Sequence, residues 1–260
     1  MRIATWNING VKARIDSLTR WLEESAPDIA CLQEIKSQDE TFPAEAIERL
    51  GYNVATHGQK GFNGVALLSK RPLEDVMRRL PGDDEDAHSR YIEATVSTDK
   101  GAVRVASIYL PNGNPIDTEK FPYKLGWMDR LLVHAKGLLE TDTPIVLAGD
   151  YNVIPTPEDA RHPDRWTDDA LFQPESRARH RALVNLGYTD AQRAVDKAPG
   201  IYTFWDYQAG AWQKNNGIRI DHLMLSPQAA DRLEAVTVEK HTRGWPKPSD
   251  HVPVVATLDL

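Results

Sequence analysis

The strongest constraint on the fold is a series of short apolar runs, each bounded by Gly, Pro, Asn or Asp. These runs occupy residues 29–32, 64–68, 103–109, 145–148, 220–225 and 252–256. Most lack the alternation of a half-exposed strand, and runs of this length are too short for most helices. They are typical of β-strands covered on both faces, so the sequence predicts sheets buried between other layers.

Helical patterns lie between the predicted strands. The apolar stripes comprise Leu18, Trp21 and Leu22 in the first helix and Leu125, Met128, Leu131, Leu132, Ala135, Leu138 and Leu139 in the second. Both are interpreted as core contacts. The strands also repeat faintly, since residues 64–69 resemble 222–226 and residues 91–96 resemble 253–258. If each half of the chain supplies one sheet, two packed sheets flanked by helices follow.

Composition excludes several classes of protein. Cys31 is the single cysteine, so neither a disulfide framework nor a cysteine zinc site is possible, and it is interpreted as a small buried hydrophobe. No apolar run is long enough to cross a bilayer, and residues 2–7 resemble a strand rather than a secretory signal. Because no flexible linker divides the chain, residues 1–260 are expected to form a single domain of a cytoplasmic enzyme.

Charge alone does not decide whether the chain binds nucleic acid. The net charge is −7, whereas phosphate contacts favour a basic surface. The charges are uneven, with four carboxylates at residues 83–86 and five arginines between residues 161 and 181. Most of these arginines fall in the polar stretch Ala160–Arg179, which is interpreted as a long functional loop rather than a domain boundary.

Polar side chains stand at the ends of the predicted strands, where α/β folds place their sites. They are Asn7, Glu34, Tyr109, Asp150 with Asn152, Asp221, and Asp250 with His251. Any one of them could be an ordinary turn or cap residue. Together, at six strand ends, they predict a reaction centre. The glycine-rich phosphate loops, the nucleophile elbow and the helical zinc motif are all absent from the sequence.

These residue types suit the hydrolysis of a phosphate diester. A hard divalent ion takes oxygen ligands and keeps several waters, so one or two carboxylates suffice. Glu34 is the best candidate ligand, with Asp250 and Asn7 nearby. The ion would neutralise charge on the reacting phosphate. Asp150 could aim and deprotonate a water, with Asn152 holding that water or a phosphate oxygen.

Three further residues complete the predicted centre. His251 beside Asp221 would be an imidazole oriented by a carboxylate, acting as a proton shuttle or a donor to phosphate. Tyr109 could stabilise developing charge through its hydroxyl. A serine-nucleophile interpretation of residues 249–251 fails, because adjacent residues of an extended segment point to opposite sides. Whether Asp150 or His251 is the base, and whether one or two ions act, stays open.

Twelve short segments carry a resemblance to a known family. They are residues 6–10 (WNING), 32–36 (LQEIK), 51–54 (GYNV), 58–61 (GQKG), 64–68 (GVALL), 81–84 (PGDD), 109–112 (YLPN), 120–124 (KFPYK), 149–152 (GDYN), 202–207 (YTFWDY), 219–221 (RID) and 247–251 (KPSDH). They span nearly the whole chain. With them the chain resembles the exonuclease III family of apurinic/apyrimidinic (AP) endonucleases, within the wider endonuclease/exonuclease/phosphatase fold that includes deoxyribonuclease I.

The resemblance implies an α/β fold, a four-layer α/β sandwich in which two packed mixed sheets are flanked by helices. It implies a Mg²⁺- or Mn²⁺-dependent DNA repair enzyme that hydrolyses the phosphodiester 5′ to an abasic site. Such enzymes also trim 3′ ends as 3′–5′ exonucleases and 3′-phosphatases. The expected partner is double-stranded DNA with abasic sites or blocked 3′ ends, bound by a monomer, with no membrane involved.

The family's roles fall on particular residues of this chain. The implied catalytic residues are Tyr109, Asp150, Asn152, Asp221 and His251. The implied metal-site residues are Asn7, Glu34, Asp150, Asn152, Asp250 and His251. The implied DNA contacts are Arg90 and Asn112, with Phe204, Ile218 and Ile220 lining a pocket for the base-free sugar. Some relatives carry tryptophan where this chain has Ile218, which predicts a roomier or less aromatic pocket.

Two accessory segments complete the expectations. Arg177 and Arg179, in the arginine-rich stretch, are expected to contact the DNA backbone beside the lesion. The segment after Asn112 reads Gly113-Asn114-Pro115, with no basic or bulky residue at its tip. Its role as a wedge into DNA therefore stays open.

Two other functions share part of this pattern. A phosphodiesterase of the same fold that acts on lipid head groups or phosphoinositides would keep the metal carboxylate and the GDYN and SDH segments. The YLPN and FWDY segments and the lack of a membrane-binding stretch favour DNA. A catalytically inactive DNA-binding protein is the second alternative, and the completeness of the reaction centre speaks against it.

Overall fold

All six apolar runs form β-strands in the computed structural model, which describes residues 1–260. The twelve strands are β1 (Arg2–Asn7), β2 (Ile29–Gln33), β3 (Asn53–His57), β4 (Val65–Ser69), β5 (Glu74–Arg78), β6 (Tyr91–Thr98), β7 (Gly101–Tyr109), β8 (Ile145–Asp150), β9 (Thr189–Asp190), β10 (Asp221–Leu225), β11 (Leu233–Val238) and β12 (Val254–Leu258). The last run begins its strand two residues later than predicted. Pro253 has no N–H to donate to a neighbouring strand.

Six α-helices connect the strands. They are α1 (Ile15–Ser25), α2 (Ala44–Glu48), α3 (Lys120–Leu139), α4 (Pro174–Asn185), α5 (Ala191–Val195) and α6 (Pro227–Ala230). In α1 the predicted stripe is buried, and each such side chain stabilises the fold by about 1.5–3 kcal/mol. The helix ends where Ala26 adopts φ +46° and donates its N–H to the carbonyl of Leu22, ahead of Pro27.

The twelve strands form two six-stranded mixed sheets. The first sheet has the order β11-β12-β1-β2-β4-β3, and the second has the order β5-β6-β7-β8-β10-β9. In each sheet the two central strands are parallel, β1 with β2 and β7 with β8, and every other pair is antiparallel. In each sheet the carboxyl ends of the two parallel central strands therefore lie at the same edge.

The layers explain why the strands are continuously apolar. In β2, Ile29 and Cys31 point into the core between the two sheets, whereas Ala30 and Leu32 pack against α1 and α2. Cys31 is a buried free thiol, as predicted. The second sheet packs in the same way against α3 and α4. The result is the predicted four-layer order of helix, sheet, sheet and helix.

The internal repeat is present, but the division into halves is wrong. Strands β4 and β10 occupy equivalent positions in the two sheets, as do β12 and β6, so the similar segments have equivalent places. The halves do not each supply one sheet, because β11 and β12 return from the C-terminus to pair with β1. The repeat therefore relates the sheets and not the two halves of the sequence.

The stretch Ala160–Arg179 is not a continuous loop. It contains a 3-10 turn at Pro163–Trp166, and its last residues form the first half of α4. The buried face of α4 consists of Ser176, His180 and Leu183. Two of these three are polar, so the helix has little apolar periodicity to reveal it. Among the helices of the chain, none is both long and apolar enough to span a membrane.

Candidate active site

The predicted residues at the strand ends meet at one edge of the two sheets. Asn7 ends β1 and is opposite Gln33, the residue before Glu34. In the second sheet, Tyr109 lies opposite Asp150, and Asp150 lies opposite Asp221. Both groups close the same end of the sandwich, because the Asn7 amide donates to the carboxylates of Glu34 and Asp150 at 3.3 and 3.0 Å.

Glu34 is held in an ionised state by its neighbours. The Tyr109 hydroxyl donates to Glu34 Oε1 at 2.6 Å, and Lys36 Nζ lies 2.9 Å from Oε2. Burial opposes ionisation, but the Tyr109 hydrogen bond and the Lys36 charge outweigh it and lower the pKa of Glu34. Burial and the Glu34 carboxylate raise the pKa of Tyr109 well above its ordinary value, so this phenol stays protonated.

The two turns that carry carboxylates each contain a non-glycine residue in the left-handed backbone conformation. Glu34 has φ +50° and Asn152 has φ +45°, each in a conformation that costs a non-glycine residue about 1–3 kcal/mol. Gly149 allows β8 to approach β7 closely, since a Cβ there would lie 2.0 Å from the Ile108 carbonyl oxygen. The Asn152 side chain donates to the Leu110 carbonyl at 2.9 Å, and its N–H donates to Asp150 Oδ1 at 2.9 Å.

Asp221, His251 and Asp150 form a buried row. His251 Nδ1 lies 2.9 Å from Asp221 Oδ2, and His251 Nε2 faces Asp150 Oδ2 at 3.7 Å. Thr203 fixes Asp221 by donating to the same Oδ2 at 2.6 Å. Asp221 therefore orients the imidazole, and the second ring nitrogen is directed at Asp150.

This row holds a proton at neutral pH. Burial disfavours the imidazolium of His251, but the carboxylates of Asp221 and Asp150 prevail and raise its pKa to about 10. Burial also raises the pKa of Asp150 to about 7, against the lowering effect of the His251 charge. The imidazolium can donate through Nε2, while Asp150 is close to the pH at which a carboxylate serves as a general base.

The donor set fits a hard divalent cation. Asp150, Asp221 and His251 bring possible ligand atoms within 4.8 Å of one another, but a protonated imidazole cannot bind a metal, so the carboxylates are the available donors. Asp221 already accepts from Thr203 and His251, so its oxygens are the least free of the three. Asn7 donates to the carboxylates of both Asp150 and Glu34, so these two carboxylates lie on either side of one amide. Carboxylate oxygens suit a hard divalent cation better than a softer metal.

Asp250 is the exception among the predicted metal-site residues. Its Oδ1 accepts from Asn9 Nδ2 at 3.0 Å, and it makes no hydrogen bond to Glu34. The connection is indirect, because Asn9 Oδ1 accepts from Lys36, which pairs with Glu34. Asp250 and His251 are consecutive in an extended segment, so their side chains diverge. Asp250 is thus near Glu34, as expected, but connected to it through Asn9 and Lys36.

Arg90 and Asn112 lie at the rim of this site. The Arg90 guanidinium stacks 4.9 Å from the centre of the Tyr109 ring and donates to the Tyr109 carbonyl at 3.3 Å. Its Nε is buried and has no hydrogen-bond partner. Asn112 is exposed and donates to Asn152 Oδ1 at 3.3 Å. Both side chains thus adjoin the reaction centre and have donor groups to spare.

Of the three apolar residues predicted to line a sugar pocket, one is half-buried and two are buried. Phe204 is half-buried, with its ring centre 5.0 Å from that of His251. Ile218 and Ile220 are only 2% and 3% exposed and pack with Ile154 and Leu171 beneath it. The expectation that all three line the pocket is corrected, since the two isoleucines support Phe204 from below.

Arg177 and Arg179 do not share one surface. Both lie in α4, and residues two apart on a helix project about 200° apart. Arg179 pairs with Asp129 of α3 through two hydrogen bonds of 2.8 and 3.0 Å. Arg177 stacks on Phe172, with its guanidinium 4.6 Å from the ring centre, and donates to the Pro155 carbonyl. The two side chains therefore have different neighbours, and their contact with the DNA backbone stays a prediction.

Lys124 is a site residue without a predicted role. It is fully buried in α3, and its ammonium donates to the main-chain carbonyls of Asn112 and Asn152. Burial lowers its pKa to about 7, against the opposing charges of Asp150 and Asp169. Lys124 therefore ties together the two turns that flank Tyr109 and Asp150. It falls within the KFPYK segment, but its burial depends on tertiary contacts.

Comparison with known proteins gives full-length matches. The model of the endonuclease/exonuclease/phosphatase family matches residues 4–251. Exodeoxyribonuclease III of Haemophilus influenzae is 38% identical over 264 residues, which cover 98% of this chain and 99% of that protein. A 3′ phosphatase, NExo, from Neisseria, bound to a product DNA hairpin, has a TM-score of 0.96 at 36% identity, covering 100% of both chains. An AP endonuclease from Archaeoglobus fulgidus has a TM-score of 0.95 at 35% identity, again covering 100% of both.

Proposed function

The chain belongs to the endonuclease/exonuclease/phosphatase family, and from this we propose that it is a DNA repair AP endonuclease of the exonuclease III type. It hydrolyses the phosphodiester 5′ to an abasic site and trims 3′ ends as an exonuclease and a 3′-phosphatase. The similar proteins named as exodeoxyribonuclease III, 3′ phosphatase and AP endonuclease support this range of activities.

The proposed cofactor is Mg²⁺ or Mn²⁺, in keeping with a metal-dependent family. Glu34 and Asp150 would hold the ion through carboxylate oxygens, with Asn7 and Asn152 beside them and with His251 and Asp250 behind. When bound, the ion supplies positive charge against the scissile phosphate and the leaving oxygen. The contacts of Asn7 with both carboxylates support this assignment.

The chain's own residues position the water and move the proton. Asp150, buried and with a raised pKa, accepts the proton of an attacking water, and the side-chain amide of Asn152 donates to a phosphate oxygen. His251, oriented by Asp221, donates from Nε2 to an oxygen of the phosphate. Tyr109 keeps its proton and stabilises the charge that develops beside Glu34.

One observation carries the substrate assignment, namely the apolar face of Phe204 against His251. Phe204 packs against the buried residues Ile218 and Ile220, and its ring offers no partner to the hydrogen-bonding edge of a base. A flipped-out sugar that lacks a base can reach it, whereas an intact nucleotide is disfavoured by its bulk. Arg90 and Asn112 are proposed to bind the backbone phosphates next to this sugar.

The proposed unit is a monomer whose residues 1–260 form one catalytic domain. Support for a single domain comes from the apolar core, because Ile3 and Val254 of the first sheet pack in one cluster with Val105 and Leu223 of the second. The proposed partner is double-stranded DNA that contains abasic sites or blocked 3′ ends.

The test is incubation of the pure protein with a duplex that carries one abasic site, with Mg²⁺ and with a chelator. We expect a single cut 5′ to the lesion in Mg²⁺ alone, and release of phosphate from a matched duplex with a 3′-phosphate. An undamaged duplex of the same sequence is the control. Intact abasic DNA with turnover of a phosphoinositide would favour the lipid phosphodiesterase. Binding of the duplex without turnover would favour an inactive DNA-binding protein.

A further inference from the structure

A second cavity lies away from the reaction centre, between α4 and α5. This α4–α5 cavity has a volume of about 590 Å³, within the range of roughly 300–1,000 Å³ of small-molecule sites. Its lining includes five cationic side chains, the three carboxylates Glu158, Asp159 and Asp190, and the imidazole of His180 on α4. None of these residues belongs to the cluster around Asp150 and His251.

The rim of the cavity carries cations that the chain does not neutralise. Arg193 and Arg219 both pair with the buried carboxylate of Asp159, at 2.5 and 2.6 Å. Arg177, Arg181 and Lys197, in contrast, have no carboxylate within ion-pairing distance. Among the lining carboxylates, Asp159 and Asp190 are paired with Arg193 and Arg219, and only the exposed Glu158 is unpaired. The unpaired charge of the lining is therefore positive, which favours an anionic ligand.

A buried imidazole without a partner reaches the same cavity. His180 is 5% exposed, lines the cavity, and its Nε2 is buried without a hydrogen-bond partner. Burial lowers the pKa of His180 to about 4, so the ring is neutral and can donate from one nitrogen and accept at the other. The ring therefore offers a polar group at the wall of the cavity to a polar ligand.

The wall beside these cations is apolar. Val184 is 40% exposed and lies on α4 one turn from Arg181 and His180, while Ala194 faces it from α5. An exposed valine at the mouth of a cationic cavity offers surface to a flat, weakly polar group. The combination of three free cations, one unpaired imidazole and an apolar wall matches a ligand with a phosphate at one end and a base at the other.

We propose that the α4–α5 cavity binds a nucleoside 5′-monophosphate. Arg181 and Lys197, assisted by Arg177, hold the phosphate; Val184 and Ala194 contact the base, and His180 bonds a sugar or base polar group. The site is separate from the reaction centre and its occupancy does not depend on turnover. Binding of a monophosphate in this cavity is therefore independent of the proposed nuclease activity.

The test is calorimetric titration of the metal-free protein with deoxyadenosine 5′-monophosphate, deoxyadenosine and inorganic phosphate. We expect saturable one-to-one binding of the monophosphate, at least about tenfold weaker binding of deoxyadenosine, and competition by inorganic phosphate. The variant Arg181→Glu/Lys197→Glu, which changes two exposed side chains, should bind the monophosphate at least about tenfold more weakly. The matched control Lys70→Glu/Lys136→Glu makes the same charge change elsewhere and should bind like the wild type.

Two results would overturn the proposal. One is equal binding of the monophosphate by wild type and Arg181→Glu/Lys197→Glu, or equal binding of deoxyadenosine and its monophosphate. The other is a variant that loses affinity for duplex DNA while keeping that for the monophosphate, which would assign the cations to the DNA backbone. Abasic-site cleavage by the variant should stay within about twofold of the wild type, since both side chains lie outside the reaction centre.

Discussion

Replacement of Asp221 by asparagine isolates the contribution of the buried row to turnover. The Asp221 carboxylate lies 2.9 Å from His251 Nδ1, and an effective dielectric of 20 gives an attraction of about 6 kcal/mol for unit charges at this distance. The net contribution of a hydrogen bond to a charged group is smaller, about 1.5–3 kcal/mol, because both groups lose contacts with water. Removing the charge therefore lowers the rate of the chemical step by about 10- to 150-fold on this ground alone.

The pH dependence gives the same variant a second readout. The Asp221 charge is the largest favourable contribution to the raised pKa of His251, which is about 10. A group with a raised pKa loses its proton as pH rises through that value. In Asp221→Asn the activity should therefore fall at a lower pH on the alkaline side than in the wild type.

The assay is single-turnover cleavage of an abasic duplex in Mg²⁺ from pH 6 to pH 10 (roughly the span between the two perturbed groups), with DNA binding measured in chelator. We expect a slower step, an earlier alkaline limb and unchanged DNA affinity. Asp231→Asn, the same exchange at an exposed position, should resemble the wild type. Thr203→Val, which removes the 2.6 Å bond to Asp221, should cause a smaller loss of about 3- to 10-fold. Wild-type rates and an unshifted alkaline limb in Asp221→Asn would refute the orienting role.

Three further outcomes follow from other parts of the structure. Glu34→Ala should raise the Mg²⁺ concentration for half-maximal cleavage by about 10–100-fold, with partial rescue at high metal; full activity at low metal would refute its ligand role. Gly149→Ala forces a Cβ to 2.0 Å from the Ile108 carbonyl oxygen. Urea denaturation should show a free energy of unfolding lower by about 1–3 kcal/mol. The control Gly126→Ala, with open space around the added methyl group, should be neutral or stabilising. Burial lowers the pKa of His222 to about 3, so below pH about 6.5 only the unfolded chain takes up this proton and stability falls. His222→Gln should therefore lose about 2 kcal/mol less stability than the wild type between pH 6.5 and 4.5; equal losses would contradict a neutral buried His222.

The sequence revealed those site residues whose placement follows from a strand. Asn7, Glu34, Tyr109 and Asp150 each follow an apolar run, and the parallel central strands bring their carboxyl ends to one edge. Because these strands are buried on both faces, their continuous apolar sequence marks where each strand ends, without any knowledge of which strands pair. The row from Asp221 to His251 was foreseen by residue type, while its distances depend on the antiparallel pairing of β10 with β8.

Other features depend on tertiary contacts that no local pattern records. Lys124 is buried because two main-chain carbonyls accept from its ammonium, although a lysine in a helix is ordinarily a surface residue. The apolar periodicity of the sequence does not predict helix α4, because Ser176 and His180 occupy its buried face. Ile218 and Ile220 were assigned to a pocket by resemblance alone, whereas packing against Leu171 places them beneath Phe204.

A structure of the protein with Mg²⁺ and a duplex that carries a non-cleavable abasic analogue tests the central claim most directly. The account predicts the base-free sugar against Phe204, with the phosphate on its 5′ side within hydrogen-bonding distance of His251 Nε2 and Asn152 Nδ2. It also predicts the ion between this phosphate and Glu34. A complex in which the 5′ phosphate contacts neither His251 nor Asn152, or in which an intact nucleotide occupies the face of Phe204, would contradict it.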